Sequence, residues 1–166
     1  MPYVQNETSN PGNEVLASVT PVLTVHANYA SGDYVGTSGV AMIFEGCAPI
    51  DGAGGYVLGA TLLDFALQSI QTELWLFSAP VTPPNDSAAW TITNADLLNL
   101  IGVIPFNSTD YYASAANSAC DGVFKNGNKR YICAAASRRL YGCLVTRGAP
   151  TYANGDLTVR LSLMQD

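Results

Sequence analysis

Residues 140–166 read LYGCLVTRGAPTYANGDLTVRLSLMQD, and this stretch decides the fold class. Across residues 157–163, Leu157, Val159, Leu161 and Leu163 alternate with Thr158, Arg160 and Ser162. That is the period of a strand with one face buried and one face wet. The run Leu140–Thr146 is rich in Leu, Val and Tyr and reads as its partner strand. Between the two runs, Gly148, Pro150, Asn154 and Gly155 supply turn residues, Gly and Asn because they tolerate a positive φ. The pattern predicts a closing pair of strands, the second of them built into the core.

Working outward, further short β-prone runs appear. Residues 15–25 contain Pro21, which removes a ladder donor and indicates an edge strand or two short strands. Residues 35–44 and 56–63 follow as strands, separated by a Gly-rich loop that has no Lys and no phosphate-loop spacing. Residues 72–78 (TELWLFS) are strongly β-prone. Thr93 and Asp96 form a variant capping box, predicting a helix near 94–101 with Leu97, Leu98 and Ile101 on one face and Gly102 at its end. Residues 103–106 resume as strand, with Pro105 at an edge. Asn126-Gly127 is a hairpin signal, with residues 120–124 and 129–135 as its flanks. About eight short strands and one helix indicate an all-β, single-domain antiparallel β-sandwich, jelly-roll-like or, alternatively, immunoglobulin-like. The polar residues 1–14 read as an arm ahead of a β-sandwich domain at 15–166, with Tyr3 and Val4 as anchors on a neighbouring subunit.

Composition narrows function. Of 166 residues, 48% are apolar and 12% charged, so the chain is globular. Thirteen acids against seven Lys and Arg give a net charge of −6, which makes nucleic acid a poor partner. No run approaches the length of a membrane span, and no signal-peptide pattern opens the chain, so synthesis in a cytosol is expected. All seven basic residues, Lys125, Lys129, Arg130, Arg138, Arg139, Arg147 and Arg160, follow position 124. Such polarity fits either solvated loops or opposed patches that dock on other copies or on a charged lattice.

The four cysteines, Cys47, Cys120, Cys133 and Cys143, lack metal-ligand spacing and read as buried thiols, with a disulfide as the next reading. His26 reads as a satisfied edge or surface residue. Carboxylates such as Asp51 and Asp64, or Glu45 and Glu73, are candidates to meet across a sheet as in glycosidases, but thirteen acids will make some neighbours by chance. The expectation is no enzyme, no cofactor and no metal. Trp75 reads as core, and Trp90 as core or a sugar platform. Tyr141 and Tyr152 read as rim or anchor residues of an interface, and Arg138, Arg139 and Arg147 as its polar contacts.

Several motifs together resemble a family of bacteriophage virion structural proteins. They are T-V-x-A-x-Y-x-x-G-D-x-V-G at 24–36, L-x-x-x-L-L-D at 58–64 and E-L-W-L-F at 73–77 with Pro80. T-I-T-N-A-D-L and I-G-V-I follow within 91–104, and the two runs of 140–152 and 156–166 close the set. The resemblance implies a head decoration or cement protein at the virion surface. Its partners would be the major capsid protein and other copies of itself, as trimer or dimer, with neither nucleic acid nor membrane involved. The alternative is a virion tail or receptor- or carbohydrate-binding protein.

Overall fold

The computed structural model describes residues 14–24 and 27–166; Tyr3, Val4 and His26 lie outside the described residues. In chain order the strands are β1 (Glu14–Val19), β2 (Ala27–Asn28), β3 (Tyr34–Val35), β4 (Met42–Phe44), β5 (Gly54–Asp64) and β6 (Thr72–Phe77). A helical turn, α1 (Asn94–Leu97), follows, then β7 (Leu100–Phe106), β8 (Tyr111–Ala113), β9 (Ser118–Gly122) and β10 (Lys129–Ile132). The chain closes with β11 (Leu140–Thr146), β12 (Thr151–Tyr152) and β13 (Leu157–Gln165).

The strands form an all-β sandwich. The larger sheet runs β1-β13-β5-β9-β8, with β10 also on β5. The smaller runs β3-β11-β6-β7, with β4 also on β11, and β2 pairs with β12 in a small ribbon. Every strand pair is antiparallel. Between the two sheets, Val57, Leu62, Leu161 and Leu163 of the larger meet Phe44, Leu74, Ile104, Phe106, Leu140 and Leu144 of the smaller. All ten side chains are fully buried.

The closing strands exist as the sequence indicates, but they do not pair. β11 is central in the smaller sheet, between β6 and the β3 and β4 pair, while β13 is held between β1 and β5 in the larger. Their patterns carry the reason. β13 alternates because only one of its faces is covered, burying Leu157, Val159, Leu161, Leu163 and Gln165. β11 is buried at every position, as a strand covered on both faces must be. Its Leu140 and Leu144 enter the main core, and its Tyr141 and Cys143 enter a second cluster on the opposite face with Tyr34, Phe77, Val81, Trp75 and Trp90. Residues 78–99 supply that extra layer, strapped to β3 by Tyr34 N–H to the Ala88 carbonyl and Ser87 N–H to the Tyr34 carbonyl.

Asp86 anchors this strap. Its buried carboxylate accepts hydrogen bonds from Thr24 N–H (2.6 Å), the Tyr29 hydroxyl (2.8 Å) and Gly36 N–H (3.2 Å). One side chain thus joins three loop segments that share no ladder.

Three local expectations are corrected. Thr93 does cap α1, accepting from Asp96 N–H, but the helix is four residues long and buries none of them. Leu98 stands 88% exposed, and Gly102 lies in β7 next to a register shift that leaves Ile101 unpaired, so the chain resumes as strand before a second turn can form. The 35–44 run splits into β3 and β4 around the loop at Gly36–Gly39. The turn at Asn126-Gly127 forms, with Gly127 at φ 79°, yet β9 and β10 do not pair with each other. Both pair with β5, β9 along residues 60–64 and β10 along 54–57, so the turn interrupts one line of strand. Close approach of β10 requires Gly54, where a Cβ would collide with the Tyr131 carbonyl, and close approach of β13 requires Gly55, where it would collide with the Met164 carbonyl.

The four cysteines are free and buried. Burial raises the Cys47 and Cys143 thiols to about 12 and the Cys120 thiol to about 11, which makes them packing residues, not reactive ones.

Candidate interaction surface

The larger sheet covers the core with one face and turns the other to solvent. That outer face is built by alternation. Because Leu161 and Leu163 point inward, Arg160, Ser162 and Met164 point outward, and directly opposed residues on neighbouring strands share their face. The register then places Glu14, Met164, Tyr56 and Arg130 in one row, with Leu16 beside Ser162 in the next and Ser18, Arg160, Thr61 and Asp121 beyond. Leu16, Ile132 and Val123 are each about three-fifths exposed, and Tyr56 and Met164 are also open to solvent. A shallow groove lined by Glu14, Leu58, Thr61, Asp121, Val123 and Ser162 runs across this face. It joins Leu58 of β5 and Val123 of the turn after β9 to Glu14 of β1.

Charge is interspersed with these residues. Arg130 pairs with Asp166 at 3.1 Å, and Thr61 donates to Asp121 at 2.6 Å. Three further ion pairs lie elsewhere: Arg138 with Asp51, Arg139 with Glu45, and Arg147 with Glu73. The polarity of charge along the sequence is therefore partly cancelled in space, since three late arginines fold against early acids. These three arginines, expected as polar contacts to a partner, are already occupied within the chain. The same pairs account for Asp51, Glu45 and Glu73. Asp64 instead lies inside the sandwich, where burial pushes its carboxyl up while the backbone N–H groups of Ser69, Ala66 and Gln68 pull it down.

Arg147 and Glu73 form the least exposed of the four pairs, at 2.6 Å. Burial alone would push the Glu73 carboxyl up, but hydrogen bonds from Arg147 and Trp75 and the Arg147 charge hold it below the usual range. A carboxylate lowered in the fold contributes stability above its unfolded titration range, and that contribution is lost as pH falls through the folded one. Arg147→Ala is expected to cost about 1 kcal/mol at neutral pH. In urea titrations the difference from wild type should shrink once the pH falls below the Glu73 range; a difference independent of pH would rule the pairing out as its source.

Two expected rim residues are interior. Tyr152, read as a loop residue, is 1% exposed, because the β2–β12 ribbon folds it onto Tyr29. Tyr141 is buried in the second cluster, on the strap side of β11. Neither is open to solvent. Trp90 packs against Tyr34 and Trp75 at ring distances of 5.9 and 5.6 Å, so it is part of that cluster and not an open platform. The residues that do form the apolar face, Leu16, Tyr56, Ile132 and Met164, were not singled out from the sequence. The alternation of β13 carries the signal for Met164; β5 reads as a nearly unbroken apolar run and hides Tyr56.

No family model matches the chain, and no curated protein matches it. Among solved structures, a chain of Desmodium yellow mottle tymovirus aligns over 99% of this chain and 88% of its own, at 13% identity and a TM-score of 0.28. A chain of the Israeli acute paralysis virus full particle, heated to 63 degrees, aligns over 100% of this chain and 73% of its own, at 10% identity and a TM-score of 0.28. Both neighbours come from viruses. At that TM-score the likeness carries no argument, and the fold stands on its own strand pairing.

Proposed function

We propose that this chain is a virion structural protein that binds the outside of a capsid shell as a cement or decoration protein. The observation that carries the reading is the outer face of the larger sheet. It is a broad, shallow surface on which Leu16, Tyr56, Val123, Ile132 and Met164 stand exposed, interspersed with Glu14, Asp121, Arg160 and the Arg130–Asp166 pair. Exposed apolar and aromatic side chains set among polar ones are the make-up of a protein-binding patch. The virion-protein motifs of the sequence support the same reading, and they map largely onto strands that build the scaffold behind this face. A cement protein of this kind acts by binding energy alone: seated across a junction between capsid subunits, it adds contacts that must break before the shell opens.

The experiment is co-sedimentation of the purified protein with mature shells that lack it. Saturable binding, with shells that then withstand higher temperature, is expected. Tyr56→Asp combined with Ile132→Asp should reduce binding at least about tenfold, since each places a charge among the exposed apolar side chains. Because apolar contacts carry the binding, it should weaken only modestly with salt. No sedimentation with shells at any salt concentration would overturn the reading.

A further inference from the structure

Edge strands invite partners, and this protein guards its edges unequally. In the smaller sheet, β7 carries Pro105 and a register shift, and β3 is covered by the strap at residues 87–88. In the larger sheet, β8 is only three residues long. β1 differs. It is six residues of regular register against β13, with the sequence EVLASV, free of Lys, Pro and bulges. Among the described residues, its other edge has no strand or side-chain partner. Its inward-facing Val15 and Val19 are only half-buried, and its outward-facing Leu16 is 60% exposed.

We propose that β1 pairs antiparallel with β1 of a second copy, about a two-fold axis through Leu16, merging the two larger sheets into one. The register follows from symmetry. Antiparallel self-pairing in one continuous sheet keeps the outer face outer, and opposed residues share a face, so the axis must set some residue opposite itself. Centred on Leu16, Glu14 lies opposite Ser18 of the second copy, and Val15 opposite Ala17. Ser18 is itself opposed by Arg160 on β13. The row across the seam therefore reads Arg160, Ser18, then Glu14 of the second copy, with a small residue between the two charges. Two strand spacings separate their backbones by about 10 Å, within reach of an extended Arg and Glu.

Among the described residues, Arg160 is the one arginine outside an ion pair, and Glu14 is also unpaired. The two-fold supplies each with its complement, twice, on either side of a Leu16–Leu16 contact. Centring on Ala17 instead would set Arg160 toward Leu16 of the second copy and leave Glu14 opposite Thr20, losing both the apolar and the charged complement.

This pairing is independent of any shell and is measured in solution. The full chain should sediment as a concentration-dependent dimer. Leu16→Lys sets two like charges against each other at the axis and should weaken the dimer at least about 30-fold, with unchanged circular dichroism because Leu16 already faces solvent. Glu14→Arg and Arg160→Glu should each weaken it at low salt, and the double reversal should restore it to within a few-fold of wild type. A purely structural role for either residue would not produce that rescue. A wild-type chain that stays monomeric at every concentration would overturn the proposal, as would a dimer indifferent to all four variants. A monomer whose β1 amides resist hydrogen exchange would also overturn it, by showing that the edge is covered from within its own chain.

Discussion

Asp86→Ala is expected to lower the unfolding free energy by about 3–5 kcal/mol, which is a large share of what a domain of this size has. The carboxylate serves three donors from three segments: Thr24 N–H, the Tyr29 hydroxyl and Gly36 N–H. Removing one acceptor leaves all three without a partner, two of them in buried surroundings, and each orphaned group costs about 1–3 kcal/mol. Tyr29 shows how dry the site is: burial first, then the bond to Asp86, pushes its hydroxyl far above the ordinary range. Asp86→Asn keeps an acceptor oxygen and should cost about half as much or less. Urea titration of both variants checks this. A loss under about 1 kcal/mol for alanine would mean that the strap is held by its apolar contacts and not by this clamp.

Leu144→Ala is the second large effect, expected at about 2–5 kcal/mol. Leu144 is fully buried in β11, opposite both Val35 of β3 and Leu74 of β6, where rigid strands on either side limit collapse into the cavity. The companion variant Cys143→Ala removes a smaller side chain from the other face of the same strand and should cost about 1 kcal/mol. Arg160→Ala, on the solvent face of β13, should lie within about 0.5 kcal/mol of wild type in the monomer. Chemical denaturation that ranked these three otherwise would contradict the layer order described for β11 and β13.

The sequence was legible where a single physical constraint acted. β13 alternates because one face is dry, and it could be read residue by residue. Its true neighbours could not, because alternation says that a face is buried without saying against which strand. β11 is continuous in apolar character, consistent with cover on both faces, yet nothing in LYGCLVT indicates that the second cover comes from residues 78–99. Local chemistry was right within its range: Thr93 caps and Gly127 turns. It failed where tertiary pairing decided the flanks, as when β5 took both β9 and β10. The candidate contacts followed charge and turn position, and neither cue reports what a side chain meets within its own chain. Arg138 meets Asp51 across 87 residues of sequence, a pairing no local pattern encodes, and Tyr152 sits among turn residues only because two-residue strands leave little trace.

The place of β13 has a consequence for how the protein is made. It lies between β1 and β5, and at its seam with the first of these Thr20 and Thr158 share a hydrogen bond across 138 residues of chain. During synthesis both flanking strands leave the ribosome well before the strand that belongs between them. Until it arrives, β1 lacks the ladder that β13 provides and β5 lacks its longest partner. The larger sheet is completed by insertion into its middle and not by growth at its rim, which makes folding slow and dependent on distant contacts. Crowded nascent chains would then be the stage at which wrong strands compete for that gap.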